Sequence, residues 1–214
     1  MNTDDLITQL SHNLPAADKP WLSRLLMMSC AVGAGFSLLV LLVFYGVRSD
    51  LSSAILAWPF WMKWTYAITL MLCAYLLIER LARPGLSAGK LWLLPLLPVA
   101  LLTVVAIRTQ LSLPAEARLP IWLGHSARYC PWNIGLLSIP IFAVLCRSLR
   151  RAAPTHLRLA AVAAGLLSGA IAAFIYGLYC NESSVAFVTT WYTLGMLLPA
   201  AYGLLFGDKL LRWR

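Results

Sequence analysis

Charge is scarce in this sequence. Only 12% of its 214 residues are Asp, Glu, Lys or Arg, about half the share found in a soluble domain. Only eight are acids, and none falls in the middle of a long apolar run. His12, His125 and His156 lie outside those runs too. Without ionisable groups inside its apolar segments, a proton- or ion-coupled carrier has no relay. Also missing are HExxH, a glycine-rich phosphate loop ending in Lys, GxSxG and any CxxC pair. These absences remove the usual routes to zinc proteolysis, nucleotide hydrolysis, serine hydrolysis and dithiol exchange. No enzymatic activity is therefore expected. A cleavable secretory leader is not expected either, because residues 1–20 are too polar for its apolar core and no small-residue cleavage pattern follows the first apolar run.

What is present is hydrocarbon. Hydrophobic residues make up 61% of the chain, and mean hydropathy is +0.78. They gather into six runs, Leu25–Val47, Phe60–Ile78, Leu91–Ile107, Ile134–Cys146, Leu157–Tyr179 and Val185–Phe206. A bilayer core needs about 20 such residues per helix, so the expected fold is all-α: an integral membrane bundle of six transmembrane helices. Pro95, Pro98, Pro140 and Pro199 fall within these runs, as membrane helices tolerate. Counting Lys and Arg in alternate loops gives 12 on the side of the N-terminus and 5 on the other. By the positive-inside rule both termini are cytoplasmic. The net charge of +9 then serves topology and lipid headgroups rather than nucleic acid, and the bilayer is the expected partner.

Within the second run, Trp58, Phe60, Trp61, Trp64 and Tyr66 form an aromatic belt for the outer interface. Lys63 among them is expected to snorkel to the headgroups, the alternative being a functional buried lysine. The fifth run carries Ala161, Gly165, Gly169, Ala173 and Gly177 at a spacing of four. Such a ladder lets a second helix approach closely, either within the bundle or across a homodimer seam.

Of five cysteines, Cys30 and Cys73 sit in apolar runs as small hydrophobes, and Cys146 ends the fourth run on the cytoplasmic side. Cys130 and Cys180 share the outer side, just before the fourth run and just after the fifth. Two thiols at one depth in an oxidising compartment suit a stapling disulfide, a soft metal ion, or neither. His125 and Glu182 are near in sequence, though no recognised metal spacing links the four.

Residues 1–20 differ from all this, holding three Asp and one Lys. Thr3 can cap a short helix, with Asp4 and Asp5 in its first turn, where the dipole favours acids. Leu6, Ile7, Leu10 and Leu14 then make an apolar stripe ended by Pro15. An acidic amphipathic helix suits docking into a basic-rimmed groove of a partner; a disordered tail is the alternative.

The opening "MNTDDLITQLSHNLPAADKPWL", the segment "RYCPWNIGLLSIPIFAVL" and the segment "GLYCNESSVAFVTTWYTLGM" together resemble the NrsF-type negative regulators of sigma factor F, six-span bacterial inner-membrane proteins. The likeness runs through essentially the whole chain. It implies an anti-sigma factor that holds an extracytoplasmic-function sigma factor at the inner membrane, makes no direct contact with nucleic acid, and releases it under envelope, metal or oxidant stress. By the same resemblance Cys130 and Cys180 are the sensing pair, with transient binding of a soft metal ion as one mode and no resident cofactor. The sigma-contacting element falls on Thr3, Asp4, Asp5, Leu6, Ile7 and Leu10. The domain division is then a cytoplasmic sigma-binding segment, 1–20, and a transmembrane domain, 21–214. A small membrane transporter or metal exporter is the rival, with only Thr, Ser, Tyr and Cys available to line a path.

Overall fold

Inside a bilayer an apolar run can satisfy its backbone only as a helix or within a closed barrel, and these six runs lack the alternation a barrel strand requires. Each becomes a helix: α1 (Trp21–Tyr45), α2 (Trp58–Leu81), α3 (Gly89–Leu111), α4 (Cys130–Ala152), α5 (Leu157–Tyr176) and α6 (Val185–Leu211), all long and apolar enough to cross a membrane. The structure is a computed structural model describing residues 21–83 and 85–212. The expected amphipathic helix with Thr3, Asp4, Asp5, Leu6, Ile7 and Leu10 lies outside the described residues.

Pro59 and Pro131 occupy the first turns of α2 and α4, where a missing N–H costs nothing. Gly46 ends α1 at φ +74°. The fourth helix is longer at both ends than its apolar run. Arg147, Arg150 and Arg151 interrupt the hydrocarbon but not the helix, so Ile134–Cys146 marked only its greasy middle. Short helices Leu51–Ala54 and Ala115–Leu123 fill two loops. Two π turns occur: Leu41–Tyr45 closes α1, and Val188–Tyr192 interrupts α6 near its start.

The helices alternate in direction and leave two ends. Loops 46–57, 112–129 and 177–184 form the thiol end, and the start of α1 with the α2–α3 and α4–α5 connections forms the arginine end. Helix α5 is central, 78% buried across its apolar window and packed on α1, α2, α4 and α6. Helix α3 is peripheral, at 11%.

The small-residue ladder explains the centre. A Cβ added at Gly165 would lie 2.5 Å from Ala200 Cα, and one at Gly169 would lie 2.7 Å from Met196 Cα. From the other side, a Cβ on Gly203 would sit 2.7 Å from the Ala161 carbonyl carbon. Helices α5 and α6 thus meet backbone to backbone, and the ladder is occupied within one chain. At the arginine end Arg158 pairs with Asp208 at 2.5 Å, Ser23 donates to Glu79 at 3.1 Å, and Arg150 donates to the Leu210 carbonyl.

Buried serines bind locally or across helices. Ser37 donates to the Leu137 carbonyl, Ser138 to Gly135 and Ser168 to Gly165. Ser29 and Ser148 share a 2.6 Å hydrogen bond between α1 and α4, and Ser29 also donates to the Leu25 carbonyl. Because Ser29 keeps that second partner, Ser148→Ala is expected to cost only about 1 kcal/mol. Thermal melting of the detergent-solubilised protein checks this, and a collapse of the bundle would contradict it.

Candidate functional site

Three elements converge at the thiol end. Pro131 fixes the start of α4 so that Cys130 is its first residue, with none of its surface exposed. Cys180 follows the last turn of α5, its N–H bonded to the Tyr176 carbonyl at 3.0 Å, and is 3% exposed. The two side chains meet thiol to thiol, and all five cysteines of the chain are free thiols. The fold has brought together the pair that sequence position alone put only on one side. Cys180 lies in the loop between α5 and α6. The Cys130 thiol beside it holds its pKa below the ordinary thiol range; burial opposes this, and the Lys63 ammonium adds to it.

Lys63 is not where the sequence suggested. Instead of snorkelling it turns inward, is 2% exposed, and donates from Nζ to the Cys180 carbonyl at 2.8 Å. Arg48 donates to that carbonyl at 3.3 Å. The charge of Arg48 is matched by a bidentate pair with Asp50, at 2.7 and 2.6 Å, and this pairing holds the Asp50 carboxyl below its usual range. Lys63 has no ion-pair partner among the described residues. The aromatic belt divides for the same reason. Trp58 and Trp61 face outward, while Phe60 and Tyr66 are buried with Lys63. Trp64 stacks between Phe60 and Phe174, at centroid distances of 4.6 and 4.4 Å.

Tyrosines complete the surroundings. The Tyr45 hydroxyl donates to Asn133 Oδ1 at 3.2 Å, and Asn133 Nδ2 donates to the Tyr176 hydroxyl at 3.4 Å. Tyr192 is fully buried, and among the described residues its hydroxyl finds no hydrogen-bond partner; what it adjoins is the Cys180 thiol. Both π turns end on a tyrosine of this group, Tyr45 and Tyr192. Such turns recur at functional positions. A cavity of about 380 Å³ opens above, lined by Tyr45, Arg48, His125, Tyr176, Tyr179, Cys180 and Glu182. Glu182 is engaged elsewhere, accepting from the His125 backbone N–H at 2.7 Å and Ser126 Oγ at 3.3 Å.

The described residues contain no group of three or more His, Cys, Asp or Glu arranged to hold a metal ion. The pair alone offers two sulfurs, a donor set suited to a soft ion rather than to a four-coordinate zinc site. It is equally a set that can lose two electrons and close to a disulfide. Sequence reasoning missed Arg48, Asn133 and the three tyrosines as neighbours of the thiols. The one signal available for Lys63 was its isolation, a single cation inside an aromatic cluster with no acid nearby in sequence.

The profile of a family described as "Negative regulator of sigma F" matches residues 10–213. A protein of Azospira oryzae named as a probable anti-sigma-F factor is 38% identical over 213 residues, covering all of both chains. An anti-sigma-F factor of Caulobacter vibrioides is 37% identical over 214 residues, again covering both completely. These are names of regulators, in keeping with the expectation that the chain is not an enzyme. No solved structure matches the chain.

Proposed function

This chain belongs to the family of negative regulators of sigma F, and from that premise we propose that it is an inner-membrane anti-sigma factor whose outer thiol pair controls release of an extracytoplasmic-function sigma factor. Both termini face the cytoplasm, where segment 1–20 holds the sigma factor through Thr3, Asp4, Asp5, Leu6, Ile7 and Leu10. Residues 21–214 form the membrane domain. The signal is a soft metal ion or an oxidant acting on Cys130 and Cys180.

One observation carries this reading: residues distant in sequence, on α4 and after α5, meet as two buried thiols beneath an open cavity, at the end opposite the start of α1. A signal there must change the affinity of the other end for its partner if it is to act at all. An exporter gains less support, since the buried serines are engaged in bonds to backbone or to each other and Lys63 is the only buried charge among the described residues.

Replacing Cys130 and Cys180 together by Ser keeps size and burial while removing the sulfur chemistry. The expected result is normal sequestration with no induction of a sigma-dependent reporter by metal or oxidant. Unchanged inducibility would sink the sensing role.

A further inference from the structure

The ammonium of Lys63 is out of water, and no carboxylate answers it among the described residues. A buried charge without a partner is costly, so its surroundings must stabilise it. They consist of the Cys180 carbonyl at 2.8 Å, on which Arg48 also converges, and the facing groups Cys180, Cys130 and Glu182. Glu182 is taken up by the His125 backbone and Ser126, and Arg48 by Asp50. What remains on this side of Lys63 is the thiol pair.

We propose that Lys63 is the positioning residue of the thiol pair, holding the Cys180 carbonyl so that the 180 side chain meets Cys130, and supplying the positive charge that favours Cys180 as the attacking thiolate. The inference rests on the sensing role proposed for the pair and deepens it. Two consequences distinguish this role from simple packing. A methionine fills the same space in an apolar setting and leaves the bundle folded, because replacing a buried charge with hydrocarbon is often neutral or stabilising. An arginine keeps donor and charge and restores most of the function.

The test uses purified full-length protein in which Cys30, Cys73 and Cys146 are replaced by Ala, with the azo oxidant diamide as probe. Each Cys gives up one proton and one electron, the S–S bond forms, and the N=N unit takes up two electrons and two protons to become a hydrazine. The rate of the Cys130–Cys180 bond is followed by mass spectrometry, alongside thermal melting. Lys63→Met is expected to react at least about tenfold more slowly with no fall in melting temperature, and Lys63→Arg within about threefold of the parent. Lys63→Gln, a donor without charge, is expected to fall between them. A parental rate in Lys63→Met or Lys63→Gln overturns the inference, as does an arginine variant no faster than methionine. The readout needs no sigma factor. A parental rate in Lys63→Met therefore leaves the sensing role standing, while an inducible double-serine protein removes the sensing role and leaves the rate difference intact.

Discussion

A protein in which Leu6 and Leu10 are both replaced by Asp is expected to leave its sigma factor free at all times. Under the proposed docking, the stripe of Leu6, Ile7 and Leu10 lies in an apolar groove of the partner while Asp4 and Asp5 sit at its rim. Burying a leucine side chain contributes about 2 kcal/mol. Losing two therefore weakens the complex by at least about 4 kcal/mol, roughly a thousandfold, before the added cost of burying two carboxylates. Rim acids mainly set the rate of capture, whereas buried leucines set how long the complex lasts. The variant should express and insert normally but fail to co-purify with the sigma factor, and a sigma-dependent reporter should be fully on without any stimulus. Co-purification at the parental level would show that the docking segment is assigned wrongly.

The second large effect is expected at Gly165. Its added Cβ would lie 2.5 Å from both Ala200 Cα and Ala200 N, and these are backbone atoms that cannot swing aside. Valine puts three carbons where there is room for none, so α5 and α6 must separate along their whole contact. Overpacking of a core typically costs about 1–3 kcal/mol, and a backbone-to-backbone seam belongs at or above the top of that range. Because α5 also carries the packing of α1, α2 and α4, the expected outcome is loss of the folded bundle, read as aggregation in size-exclusion chromatography and absence of a melting transition. Gly35→Val is the matched control, since among the described residues nothing lies within 4 Å of the Cβ position there. If Gly165→Val melts like the parent, the seam does not hold the fold.

Much of this fold was legible because the bilayer asks so little of a sequence. Length, hydrocarbon and the absence of charge are enough to mark a crossing helix, and all six runs are helices. The ladder in α5 was readable as a close contact, though spacing alone did not say that α6 was its partner. The boundaries of α4 were less legible, because arginines end an apolar run without ending a helix. Shared depth placed Cys130 and Cys180 on one side only; that they meet depends on α4 packing against α5, which spacing does not reveal. Lys63 ran against expectation for a reason that depth cannot reveal. An aliphatic amine at the interface has two ways to be satisfied, water above or a carbonyl below, and the choice depends on where the chain brings that carbonyl. The π turns had no sequence signal at all, since Leu41–Tyr45 and Val188–Tyr192 are ordinary apolar stretches whose extra residue is accommodated by tertiary contacts.

Helix α3 has a consequence of its own. It leans on the first turns of α6, through a contact of Thr189 Oγ1 with the Leu102 carbonyl at 3.5 Å, and most of its remaining surface is open. Its tilt is therefore set by that one flank and by the residues at its two ends. The turns it leans on lead directly to Tyr192 and the sulfur of Cys180. The helix with the least protein around it thus rests against the turns that carry Tyr192.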